Sequence, residues 1–86
     1  MIIKKKCWPE QFQSILDGKK KADVRLDDFE CKVGDILLLE EFYPKTKKYT
    51  GRTIEKKITH VLKTKDLEFW SKEDIDKHGL QIISFD

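Results

Sequence analysis

Two arginines, Arg25 and Arg52, stand among sixteen lysines in this 86-residue chain. Lysine is a flexible, solvated point charge, whereas arginine offers a rigid fork that grips carboxylate, phosphate or a base edge. Arg25 closes the run Gly18-Lys19-Lys20-Lys21-Ala22-Asp23-Val24-Arg25. On an extended chain Lys21, Asp23 and Arg25 share one face. Asp23 would then fix the Arg25 guanidinium and leave its other N–H donors for a phosphate or a base. Lys20 has the opposite parity. The bland alternative is a solvated strand face whose ion pair is worth about 0–1 kcal/mol.

Arg52 closes a second compact segment, Tyr49-Thr50-Gly51-Arg52. Glycine lets a backbone approach a ligand, and Tyr49 offers a ring for a base to stack on. The competing reading is a bulged strand start with Arg52 paired to Glu40 or Glu41 across a hairpin. The lysines cluster at 4–6, 19–21 and 45–57. They either converge on one face to follow a phosphate backbone or simply keep the surface soluble. Tyr43, Tyr49, Phe69 and Trp70 fall at loops or strand ends and are open to stacking, although Phe69-Trp70 before Ser71 also suits a hydrophobic staple. Trp8, Phe12, Phe29, Phe42 and Phe85 read most simply as core. His60 follows Ile58 by two and reads as a satisfied barrel histidine. His78, beside Gly79, reads as a helix-end cation. Cys7 and Cys31 lack an activating motif or CxxC spacing, so free reduced thiols are expected and a zinc site is not.

The elements that would position these groups are short. A strand is expected in Met1–Lys6. A helix follows over Pro9–Asp17, with proline in its first turn and Gly18 as a left-handed stop. The alternation over Lys20–Leu26 predicts a second strand. Ile36–Phe42 is the strongest strand, and its unbroken Ile-Leu-Leu-Leu run suggests cover on both faces, as in a small barrel. Pro44 and three lysines make a hairpin loop, and Tyr49–Leu62 returns as a long strand bulged at Gly51. Ser71 caps a short helix over Asp74–Lys77, stopped by Gly79, and Leu80–Phe85 is a closing strand. The sum is a single α+β domain over 1–86, mainly β. It is expected to be a barrel of about five strands with one N-terminal and one short C-terminal helix.

Composition removes several classes. Acidic residues number 16 against 18 basic, a net charge of +2, so the chain is no polycationic tail. No apolar run approaches a membrane span, and no secretory leader is evident at the start. A cytoplasmic setting is the expectation.

The motifs also carry a resemblance. Gly18-x-Lys20-x-x-Asp23-x-Arg25 is similar to the G-x-K-x-x-E-x-R signature of the ASCH superfamily, with aspartate in place of the usual glutamate. Lys6-x-x-Pro9-x-x-Phe12, Phe29-x-x-Lys32-Val33-Gly34-Asp35, Tyr49-Thr50-Gly51-Arg52, Ile58-Thr59-His60-Val61-Leu62 and Ile82-Ile83-Ser84 resemble its small prokaryotic and phage branch, the DUF3850-type proteins. Ile3 stands where that branch often has histidine, and 63–79 has no clear counterpart. The resemblance implies a PUA-like barrel with a cleft between barrel and helix that takes RNA or a nucleotide-like ligand.

One ASCH subgroup resembles an amidohydrolase acting on an acylated cytidine through Lys, Thr and Glu. Lys20 matches that lysine, but Asp23 stands where the threonine would fall.

The leading expectation is an RNA-binding module using Lys20, Asp23, Arg25, Tyr49 and Arg52, with no cofactor and no metal. A hydrolase of a modified nucleoside, with Lys20 as its catalytic residue, is the second reading. A protein-interaction accessory with an apolar patch around Phe69 and Trp70 is the third.

Overall fold

The computed structural model describes residues 1–65 and 68–83. Strand β1 (Ile2–Cys7), helix α1 (Pro9–Leu16), strands β2 (Ile36–Tyr43) and β3 (Lys48–Lys57) and helix α2 (Lys72–His78) follow in chain order. The strands form one mixed sheet in the order β1-β2-β3. β1 and β2 are parallel, with Ile3 opposite Leu37, Lys6 opposite Glu40 and Cys7 opposite Glu41. Parallel neighbours need a long crossover. Helix α1 and the irregular stretch from Asp17 to Asp35 supply it. β2 and β3 form an antiparallel hairpin through the turn after Tyr43.

Helix α1 begins with Pro9 in its first turn, where a missing N–H costs nothing. It ends as expected at Gly18, whose φ of 76° belongs to the left-handed region. The N–H groups of Lys19 and Lys20 then close back on the Ser14 carbonyl at 3.0 and 3.1 Å. Phe12 and Ile15 turn inward and pack with Cys7 and Leu39, with Leu37 and Ile54 around them. This small cluster is the core, and it sits between α1 and one face of the sheet. The period of two along β2 puts Leu37, Leu39 and Glu41 on that face. Ile36, Leu38, Glu40 and Phe42 lie on the other face, which carries no helix.

The expected barrel does not form. Among the described residues there are three strands, and the sheet stays open. Lys20–Leu26 alternates like a strand but makes no ladder; it runs as irregular chain that reaches β1 through the Arg25 side chain. Leu80–Ile83 is likewise irregular, and the rest of that expected strand, with Phe85, lies outside the described residues. The apolar run of β2 reflects its place as the central strand. β3 ends at Lys57, earlier than expected, although Ile58 still exchanges backbone hydrogen bonds with Gly34 and Asp35. Of the expected core aromatics, Phe12 is fully buried and Phe29 and Phe42 are half-buried, but Trp8 is 61% exposed. His60 is exposed beyond the end of β3 and is no barrel histidine.

Ser71 caps α2 as its sequence implies, its hydroxyl accepting from the Asp74 N–H at 3.1 Å. Lys77 and His78 fall in the last turn before Gly79.

Candidate nucleic-acid interface

The site is built around the ends of β1 and β2 and the chain that leaves α1. Arg25 is held twice. Its Nε donates to Asp23 Oδ2 at 2.6 Å, and its Nη2 donates to the Lys6 carbonyl at 2.7 Å. Asp23 therefore orients Arg25 as the sequence suggests, and the Lys6 carbonyl, on the outer edge of β1, fixes the other side of the fork. The Lys20 ammonium is turned toward α1 and donates to Gln11 Oε1. That partner is a neutral amide and not a carboxylate.

Arg52 follows the hairpin reading, and its partner is Glu41. Nε and Nη2 grip the two carboxylate oxygens at 2.9 Å each, while Thr50 Oγ1 donates to Oε1 at 2.6 Å. The guanidinium lies over the Phe12 ring, 4.9 Å from its centroid, and touches Gln13 Oε1 at 3.3 Å. Glu41 is buried, yet its hydrogen bonds from Arg52 and then Thr50 outweigh burial and hold its pKa down to about 2. The bonds to Glu41 in turn raise the Arg52 pKa. Glu41 therefore stays charged, and half-exposed Arg52 keeps one edge toward solvent.

Cys7 lies between these groups. Burial pushes its thiol pKa up; Asp23 and Glu41 push the same way, and Arg25 and Lys20 oppose them. The thiol is buried and, with its pKa raised, is a poor nucleophile. Cys31 is also free. Among the described residues no group of three or more His, Cys, Asp or Glu side chains is arranged to hold a metal ion. No helix among them is long and apolar enough to cross a membrane.

On the sheet's other face lies an open depression of about 350 Å³, lined by Lys4, Lys5, Lys6, Arg25, Glu40 and Tyr49. Its walls follow from register. Lys6 faces Glu40 across β1 and β2, and Tyr49 faces Phe42 across β2 and β3. Phe42 and Tyr49 pack edge to face at 5.0 Å, with the Lys6 ammonium 4.5 Å from the Phe42 centroid and 6.0 Å from that of Tyr49. Lys5 lies over Phe29 at 3.7 Å. Of the five sequence-predicted residues, Arg25 and Tyr49 meet here and Asp23 supports Arg25. Lys20 and Arg52 sit instead on the α1 side. The sequence leaves Lys4–Lys6 as one lysine cluster among several and offers Glu40 as an Arg52 partner or, with Glu41, Glu68 and Glu73, as a candidate for the hydrolase's glutamate, but not beside Arg25 and Tyr49. The parallel register that joins them to Arg25 and Tyr49 depends on a crossover that local pattern does not reveal.

Residues 3–73 match the family described as a domain of unknown function, DUF3850. The chain belongs to that family. An uncharacterized 12.9 kDa protein encoded in the GpA 3′ region of Escherichia phage P2 is 34% identical over 75 residues, covering 87% of this chain and 64% of the relative. This DUF3850 chain thus spans under two thirds of that relative's length. No solved structure matches it.

Proposed function

We propose that this DUF3850 chain is an ASCH/PUA-related module that binds nucleic acid, with RNA as its ligand. The observation that supports the reading best is the convergence of Arg25, Lys4 and Lys6 with the Tyr49 ring on one open depression. Cations beside a partly exposed aromatic ring suit a phosphate with an adjacent unstacked base. Arg25 meets phosphate with its orientation already fixed by Asp23 and the Lys6 carbonyl. Tyr49 is the stacking ring. Lys20 and Arg52 extend the cationic surface around the end of β1 toward α1. The site is local, in keeping with a net charge of only +2.

The test is the affinity of wild type, Arg25→Ala and Lys20→Ala for a fluorescent single-stranded RNA across a salt series. Three phosphate contacts predict a log–log slope of roughly −2. Each alanine variant should weaken binding and flatten that slope. Salt-independent binding, or both variants binding like wild type, contradicts the proposal.

A second reading has its own observation. Leu62, Phe69, Trp70, Leu80 and Ile82 line a larger depression of about 620 Å³ beside α2, and Phe69 is 83% exposed. Exposed apolar surface of this kind suits a protein-interaction accessory that uses no nucleic acid. That reading expects concentration-dependent self-association in sedimentation, abolished by Trp70→Ser, together with no RNA affinity.

A further inference from the structure

Glu40 is out of place in a site built only for a polyanion. It is half-buried on the central strand, lines the same depression as three lysines and Arg25, and stands opposite Lys6. Its carboxylate makes no hydrogen bond and no ion pair with the described residues: the Lys6 ammonium turns to Phe42 and Tyr49, and Arg25 Nε and Nη2 bond Asp23 and the Lys6 carbonyl. A carboxylate left in this position repels phosphate. It is, however, well suited to a neutral group that presents N–H donors, because an ionised carboxylate is an acceptor with two adjacent oxygens.

Nucleobases differ in what they offer such a group. Guanine presents two neighbouring donors on its Watson–Crick edge, the ring N1–H and the exocyclic amino group, which match both oxygens at once. Cytosine and adenine present an amino group beside a bare ring nitrogen, and uracil presents one N–H between two carbonyls. Only guanine satisfies both oxygens without setting an acceptor against an acceptor. The ring to stack on is also in place, since Tyr49 lies on the same face and is about half exposed. Lys4 and the Arg25 N–H donors not spent on Asp23 and the Lys6 carbonyl are available for the attached phosphate.

We infer that the depression is a guanine-selective nucleotide pocket, with Glu40 reading the base edge, Tyr49 stacking on its plane, and Lys4 and Arg25 taking the phosphate. This rests on the nucleic-acid reading above and names the base it prefers. Glu40 is the specificity-determining residue, and it makes no claim on catalysis. The shared chemistry is guanine plus phosphate, whether it arrives in single-stranded RNA or as a free guanine nucleotide.

The experiment compares four short single-stranded RNAs, identical but for one central G, A, C or U in a uridine background, and separately GMP and AMP. Each is titrated into wild type, Glu40→Gln and Arg25→Ala, with folding checked by circular dichroism. Wild type should favour the G-containing RNA by roughly tenfold over the others. Glu40→Gln, which replaces one acceptor with a donor, should erase that preference while leaving affinity for the uridine RNA equal or higher. Arg25→Ala should weaken all four alike. GMP bound with the same Glu40-dependent preference, and no RNA bound, would assign the pocket to the free nucleotide. RNA binding with no base preference, or a preference that survives Glu40→Gln, overturns the guanine pocket and leaves the nucleic-acid reading intact. Failure of every RNA and of GMP to bind overturns both.

Discussion

Glu41 shows how one residue can be buried and still charged. Its carboxylate receives two N–H bonds from Arg52 and one O–H bond from Thr50, which replace the water it has lost. A carboxylate whose folded pKa lies near 2, below its ordinary value of 4.5, contributes stability above the ordinary value. That contribution is lost as pH falls from about 4.5 toward 2. Glu41→Gln should therefore lose stability at neutral pH, and its unfolding midpoint should change less than that of wild type over this acid window. Denaturant titrations at several pH values check this.

Arg25 provides a second prediction at the same scale. Lysine cannot hold Asp23 and the Lys6 carbonyl at once in fork geometry. If the depression binds RNA, Arg25→Lys should therefore keep part of the salt dependence of that binding but bind more weakly than wild type. The Asp23–Arg25 pair was legible because two residues of extended chain bring side chains to one side. The choice of Glu41 over Glu40 for Arg52 follows from parity with Leu37 and Leu39, once the helix-covered face of β2 is known. Which side α1 covers is a tertiary fact, and for that reason both glutamates stayed open in the sequence.

At the scale of elements, the decisive device is the bulge in β3. Glu40 pairs with Thr53 and Phe42 with Tyr49, so Glu41 alone faces Thr50, Gly51 and Arg52. The extra residues bring Thr50 and Arg52 to the same carboxylate, and Gly51 makes this possible with a φ of 94°. A Cβ at Gly51 would meet nothing within 4 Å, so the constraint is conformational and not steric. Gly51→Ala should destabilise the protein by about 1–3 kcal/mol in chemical denaturation, through backbone strain.

Helix α2 depends on its cap: Ser71→Ala should cost about 1 kcal/mol of local helix stability, read as faster amide exchange over 74–78. These elements were legible because capping serine, first-turn proline, stop glycine and bulge glycine each act over a few residues. The run Lys20–Leu26 was not. Its alternation is that of an extended chain, but it joins the sheet through the Arg25 side chain and not through a ladder. An extended backbone and a paired strand have the same period of two.

The whole molecule combines a thin core with two different surfaces. Among the described residues the fully buried large side chains are Phe12 and Leu39, a thin core for a chain of this size. The helix-free face of the sheet carries the cationic depression, and Leu62, Phe69, Trp70, Leu80 and Ile82 line the apolar one. If the first binds RNA, Trp70→Ser should leave RNA affinity unchanged within twofold while reducing any self-association. The barrel expected from strand-like segments failed at this scale, because closure is decided by which strands pair across the molecule and not by local alternation.

The most direct measurement of the central claim is an amide chemical-shift titration of the isotope-labelled chain with a single-stranded RNA oligonucleotide at low salt. Shifts should concentrate at Lys4–Lys6, Arg25, Glu40 and Tyr49, and Leu62–Ile82 should remain still. Shifts confined to Leu62–Ile82, or none at any site, would contradict a nucleic-acid interface on this sheet.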